Sequence, residues 1–159
     1  MVVRNLDANG YLKKAEFKDI NLLYQWRNDE TVRLNSFSNE VISYEDHLEW
    51  LQSKLSSDNT DIYIYYYNEI PVGQIRLDFC ENYAIISYSI DKEYRGMGHG
   101  SRILQLIEKE SRNRKNIEYY IGRVKYTNIT SQKRFKEMGY SEHLKTDYIE
   151  YIKSLPFSE

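Results

Sequence analysis

The sequence predicts an α+β sandwich, and three observations carry that prediction. Strand-length apolar runs fill the middle of the chain, capped helical stripes flank them, and one Gly-rich junction leads from a strand into a helix. No Pro-, Gly- or Ser-rich linker and no internal repeat interrupts the 159 residues, so residues 1–159 are expected to form a single domain.

The elements follow in order. Tyr11 to Glu16 reads as a short strand, and Asp19 is placed to cap a helix through Arg27, with Ile20, Leu23 and Tyr24 on one face. Ser43 caps a second helix: Ser43-Tyr44-Glu45-Asp46 approaches a capping box, and Leu48, Leu51 and Leu55 recur at helical spacing. Two helices are therefore expected ahead of the main sheet. Segments 61–67, 71–79 and 83–91 read as an antiparallel meander, broken at Asn68-Glu69 and Glu81-Asn82. Beyond the Gly-rich turn at 95–100, a helix carries the stripe Ile103, Leu104, Leu106 and Ile107. A strand at 117–124, a helix at 129–138 stopped by Gly139, and closing strands within 140–152 complete the pattern.

Composition narrows the function. Charged residues make up 29% and hydrophobic ones 41% of the chain, the balance of a soluble globular protein. A net charge of −2 with interspersed signs gives no field for polyanion capture, so nucleic acid is not an expected partner. The 16 tyrosines fall mostly in strand-like segments, where aromatic residues are favoured for packing. No apolar run approaches the roughly 20 residues that span a bilayer, and the start, Met1-Val2-Val3-Arg4, does not read as a signal peptide. A cytoplasmic location away from membranes is expected. Cys80 stands alone, with no disulfide partner, and no cluster of His, Cys or carboxylates has metal-ligand spacing, so no metal is expected.

The informative stretch is Tyr94-Arg95-Gly96-Met97-Gly98-His99-Gly100-Ser101. Glycines let the backbone approach a ligand closely, and successive N–H groups at a helix start suit an anion, above all a pyrophosphate. Arg95 adds a charge-assisted contact. Neither the dinucleotide fingerprint nor the P-loop fits this spacing; a merely tight turn is the plain alternative.

Residues 86–104 resemble the R-x-x-G-x-G/A signature of the GNAT superfamily of acyltransferases. Val124, Asn128, Ser131 and Met138-Gly139-Tyr140 are similar to that family's second motif, so the resemblance covers nearly the C-terminal half. It implies a mixed, mostly antiparallel twisted sheet with helices on both faces and a splayed central strand pair, 83–91 and 117–124. It further implies an N-acetyltransferase with acetyl-CoA as co-substrate. Arg95, Gly96, Met97, Gly98, His99, Gly100 and Ser101 would hold the pyrophosphate, and the Tyr88 to Ile90 backbone would pair with pantetheine. Asn128 and Ser131 would line the thioester end, beside Phe135.

Two departures from the family concern catalysis. Where many members carry a tyrosine that protonates the leaving thiolate, this chain has Phe135, and the strand position that sometimes holds a carboxylate base lies in Ala84-Ile85-Ile86. Tyr126 is the candidate replacement for the lost hydroxyl; solvent is the other. Both departures also suit a hypothesis of another class, a non-catalytic acyl-CoA-binding module.

On the acceptor side, Trp26-Arg27-Asn28-Asp29, Val32-Arg33, Ser36-Phe37 and His47-Leu48 resemble two groups: amino-sugar N-acetyltransferases of pseudaminic-acid-type pathways and Rim-type protein N-terminal acetyltransferases. The spacing of Arg-Asn and His-Leu is nearer the former. That resemblance implies a small-molecule amine as partner, the 4-amino group of a nucleotide-linked amino sugar, with Arg27 and His47 on the diphosphate and Phe37 near the sugar. A homodimer is compatible with it. Arg27 as a cation at a helix C-terminus and His47 as a packing residue remain the plain alternatives.

Overall fold

The computed structural model describes residues 9–111 and 116–155; the start read above as carrying no signal peptide lies outside them. Seven strands form one sheet: β1 (Gly10–Lys14), β2 (Thr60–Tyr67), β3 (Ile70–Cys80), β4 (Tyr83–Ile90), β5 (Tyr119–Val124), β6 (Ser141–Leu144) and β7 (Ile149–Ser154). Their spatial order is β1-β2-β3-β4-β5-β7-β6. Only the β4/β5 pair is parallel; its neighbours on either side are antiparallel. This is the fold that the resemblance implies.

Alternation along the strands decides which helices pack where. In β2, Tyr63 and Tyr65 face one side while Ile62 and Ile64 face the other, as a period of two requires. The first face is covered by α4 (His99–Ser111) and α5 (Ile129–Glu137), through Ile103, Leu104, Ile107 and Phe135. The second is covered by α1 (Ile20–Arg27) and α3 (Tyr44–Leu55), through Ile20, Leu23, Trp26 and Leu51. The β2–β3 turn has positive φ at both Asn68 (53°) and Glu69 (67°), the pattern of a two-residue hairpin whose twist matches its strands.

Two local readings need correction. Three helices, not two, precede β2: Asp29 accepts from the Val32 amide and caps α2 (Glu30–Asn35), which buries no side chain and so has no apolar stripe to betray it. Asp19 makes no cap bond to α1; its carboxylate accepts from the Glu16 amide and closes a 3₁₀ turn, Phe17–Asp19, that leads into α1.

The end of α5 explains the Gly139 stop. Gly139 sits at φ +91°, its amide reaches the Lys136 carbonyl, and the Tyr140 amide reaches Phe135, the two bonds of a Schellman motif. The accompanying apolar contact is Phe135 against Tyr140, ring centroids 4.9 Å apart. Phe135 also stacks on Tyr151 at 5.4 Å and points its ring tip at Gly122, where a Cβ would lie only 2.4 Å from Cζ.

Gly122→Ala is therefore expected to destabilise the fold by about 1–3 kcal/mol through overpacking. Urea denaturation reads the difference, and a variant as stable as the parent would mean that Phe135 has room to move.

Candidate active site

The parallel register of β4 and β5 runs from Tyr83↔Tyr119 to Ile86↔Gly122 and stops. Past that point β4 continues to Ile90 along β3, and β5 continues to Val124 along β7. The strands part, and a cleft of about 770 Å³ opens between them, roofed by α1, α2 and the start of α3 and floored by the starts of α4 and α5.

At one end lies the Gly-rich loop. Gly96 (φ +79°) and Gly98 (φ +83°) hold left-handed backbone, which side-chain-bearing residues adopt at a cost. Helix α4 begins at His99, so the amides of its first turn lack intrahelical acceptors and are free for an anion. Gly100 leaves room for Arg134 of α5: a Cβ there would fall 1.8 Å from its Nη1, so the guanidinium, the end of a flexible side chain, would have to move aside. Arg134 Nε is buried without a partner.

The Arg95 side chain points away from this loop. Its Nη2 donates to Asp29 Oδ2 at 2.8 Å and its Nε to the Ile90 carbonyl at 2.9 Å, tying the loop to the α2 cap and the end of β4. Burial pushes the Asp29 carboxyl up, but the Arg95 bond and the Val32 amide outweigh it and hold the group below its ordinary value. Trp26 Nε1 donates to Asp91 Oδ2 at 2.8 Å, a second tie between α1 and the same junction.

His99 contributes backbone only. Its ring is 5% exposed, surrounded by Tyr65, Tyr67 and Tyr94, and Nδ1 lies 2.8 Å from Tyr65 Oη and 3.2 Å from Arg102 Nη1. A guanidinium can only donate, so Nδ1 accepts and the imidazole is neutral with its proton on Nε2.

The other end is cationic. Arg27 lies with Nη1 buried and unpartnered, its guanidinium held below its ordinary value by burial and then by the Arg76 and Arg33 charges. His47, 2% exposed, stacks on Trp50 at 5.4 Å with its Nε2 unpartnered. Arg76, centred 5.3 Å from the Trp50 ring, is braced by Asp78 and by Ser87. Phe37 is exposed, its ring edge-on to Tyr148 at 5.8 Å.

Most of the residues singled out from the sequence thus meet in one cleft: Arg27, Phe37 and His47 at one end, the glycines at the other, and Tyr88, Ile90, Asn128, Ser131 and Phe135 between. Three do not line it. Met97 is exposed on the loop and Ser101 lies behind it. Tyr126 is turned outward, its hydroxyl donating to the Lys145 carbonyl, because Gln132 Nε2 fixes the carbonyls of Lys125 and Tyr126 and holds that loop away. Asn128 spends its side-chain oxygen capping α5 through the Ser131 amide.

Sequence reasoning missed Arg76 and Arg134. The signal for Arg76 was the polar alternation Gln74, Arg76, Asp78 within a central strand, which must face a cleft if it is not to bury charge. For Arg134 it was an arginine three residues after Ser131, and so on the same helix face.

A parallel strand pair that opens onto a Gly-rich helix start, under an acceptor-side roof, defines an acyl-CoA-dependent N-acetyltransferase of the GNAT type. The model of the acetyltransferase (GNAT) family matches residues 20–140, and the chain belongs to that family. No curated protein matches it significantly. Among solved structures, it is similar to RimL, a ribosomal L7/L12 alpha-N-protein acetyltransferase in complex with coenzyme A (TM-score 0.81, 16% identity, 96% of this chain and 98% of that one). It is also similar to Vibrio cholerae spermidine N-acetyltransferase in complex with CoA and spermine (0.85, 13%, 93% and 96%). A third is AAC(6')-Ib in complex with ribostamycin and coenzyme A (0.82, 14%, 92% and 93%). At these identities the likeness is one of fold.

A pH effect follows from the two buried imidazoles. Burial lowers both below the ordinary value of about 6.5, with Arg27 adding to the effect at His47 and Arg102 at His99. The unfolded chain therefore binds more protons just below about pH 6.5, so their contribution is complete above that value and is lost as pH falls. Urea midpoints measured from pH 8 down to about 5 should decline below about 6.5. His47→Gln should flatten the decline; an unchanged slope would remove His47 from the account.

Proposed function

We propose that the protein transfers acetyl from acetyl-CoA to a primary amine carried by an anionic small molecule, the 4-amino group of a nucleotide-linked amino sugar. The carrying observation is the cleft wall: Arg27, Arg76, Arg95, Arg123 and Arg134 line it, and among the described residues no aspartate or glutamate does; Arg76, Arg95 and Arg123 are paired with Asp78, Asp29 and Glu150, which leaves Arg27 and Arg134 as the cations offered to a ligand. Two cations at opposite ends of a cleft lined by no carboxylate among the described residues favour anions over polycations.

Two anions can be accommodated, one at each end. The amides of 96–101 and Arg134 suit the donor pyrophosphate, and Arg95 fixes the loop with its side chain while offering its amide. The free edge of β4, Ser87 to Ile90, suits the amide-bearing pantetheine arm, with Ser131 and the Asn128 cap at the thioester end. Arg27 and His47, whose buried nitrogens lack partners, suit the acceptor diphosphate, and the exposed Phe37 ring suits the sugar.

Spermine and ribostamycin, which the two small-molecule neighbours hold, are polyamines and would meet like charge here. A thiol-release assay offering a nucleotide-linked 4-amino sugar, spermidine, an aminoglycoside and a serine-terminated peptide should show turnover with the first. Arg27→Gln should raise its KM about 10- to 100-fold, the usual worth of a hydrogen bond to a charged group, with kcat less affected. Faster turnover of spermidine or the peptide would sink the assignment.

For the donor end, Arg134→Ala should weaken coenzyme A binding about 10- to 100-fold by calorimetry. Unchanged affinity in a folded variant would place the phosphates away from α5.

A further inference from the structure

Acyl transfer to an amine leaves a thiolate that takes up a proton, and Phe135 has none to give. We propose that the Tyr88 hydroxyl, held against Ser131 where β4 and β5 part, is the general acid that protonates the departing coenzyme A sulfur; this rests on the acetyltransferase reading above.

Tyr88 lies on the free stretch of β4, two residues past Ile86, the last residue paired with β5. It packs on the same face as Ala84 and Ile86, toward α5. Its hydroxyl is 3.2 Å from Ser131 Oγ, and its ring meets Phe135 edge-on at 6.0 Å. A hydroxyl is thus delivered beside position 135, from the strand across the cleft instead of from the helix. Ser131 is itself fixed, since its amide is bound to Asn128 Oδ1 at 3.2 Å.

Other hydroxyls are less well placed. Tyr126 is bound to Lys145 outside the cleft, and Tyr140, 5% exposed, lies behind Phe135. Tyr94 reaches the cleft wall only at the loop, against the His99 ring. Burial pushes the Tyr88 phenol up, with Ser131 and Arg134 opposing, so the proton is present at neutral pH and a cation stands by to stabilise the phenolate.

The step balances. The amine nitrogen forms a bond to the thioester carbonyl carbon, the C–S bond breaks, and Tyr88 gives its proton to the sulfur. The surplus proton of the new amide nitrogen returns through Ser131 and solvent to the phenolate.

Tyr88→Phe in the full chain tests this on two readouts. The expected kcat falls about 10²- to 10⁴-fold with donor KM little changed. Independently of turnover, calorimetry near pH 9.5, above the ordinary thiol value of about 8.5, compares coenzyme A with desulfo-coenzyme A. The variant should lose about 10- to 100-fold for the former, whose thiolate accepts the phenol's hydrogen bond, and nothing for the latter. Equal losses for both ligands, or a kcat within tenfold of the parent, would overturn the assignment. Should the parent acetylate none of the amines offered, the acetyltransferase reading fails on that result, while the calorimetric comparison still decides on Tyr88. Ser131→Ala, which leaves the Tyr88 ring intact, should reproduce part of the thiol-specific loss, and no such loss would remove Ser131 from the relay.

Discussion

Ile86 and Gly122 are the last residues that β4 and β5 share, and the site depends on their being the last. Gly122 can serve there only because Phe135 fills the space its missing side chain leaves, so the helix that carries half the cleft is seated at the point where the sheet opens. Backbone groups on the free stretch of β4 are obliged to find partners. One carbonyl, that of Ile90, is taken by Arg95. The rest of the edge faces a cleft, which is why an extended ligand with amides of its own suits it better than a compact one.

Arg95 links this edge to the rest of the machinery. By bonding to Asp29 it joins the Gly-rich loop to the cap of α2, while Trp26 joins α1 to Asp91 just before that loop. The elements carrying Arg27 and Phe37 are thereby pinned to the elements that present the helix amides. On the proposed reading donor and acceptor ends would be held in one frame, and proximity, worth several kcal/mol in a reaction of two substrates, would be in place before either arrives.

Much of this was legible in the sequence, for identifiable reasons. The meander could be read because its strand-length segments are broken at Asn68-Glu69 and Glu81-Asn82, where the turns fall, and the α5 stop because Gly139 is the residue a left-handed cap requires. Helix α2 could not be read from periodicity, since it is only Glu30–Asn35 and buries nothing; its sole sign was Asp29 followed by Glu30, a cap with an acid in the first turn. The glycine motif marked the loop that opens α4 but did not show that the Arg95 side chain turns to Asp29, because a one-dimensional motif does not reveal what lies opposite. Tyr126 was chosen for its place after a cleft strand, yet side-chain direction past a strand end is set by loop hydrogen bonds that have no periodicity to reveal them.

Among the described residues no carboxylate lines the cleft wall, which changes what the proposed chemistry asks of the protein. A base is needed only if the acceptor arrives as an ammonium ion and must be deprotonated in place. A guanidinium near an amine disfavours its charged form, so on the proposed reading Arg134 would shift the acceptor toward the neutral nucleophile. On the same reading an acceptor that brings its own phosphates would offset the Arg27 charge, while its amine would meet the thioester nearer to Arg134 and the α4 start. On the proposed reading the cations that would favour an anionic acceptor would also prepare its amine, and the remaining demand is a proton for the sulfur. A hydroxyl that keeps its proton at neutral pH, beside a cation that stabilises the anion it leaves, meets that demand without any carboxylate in the site.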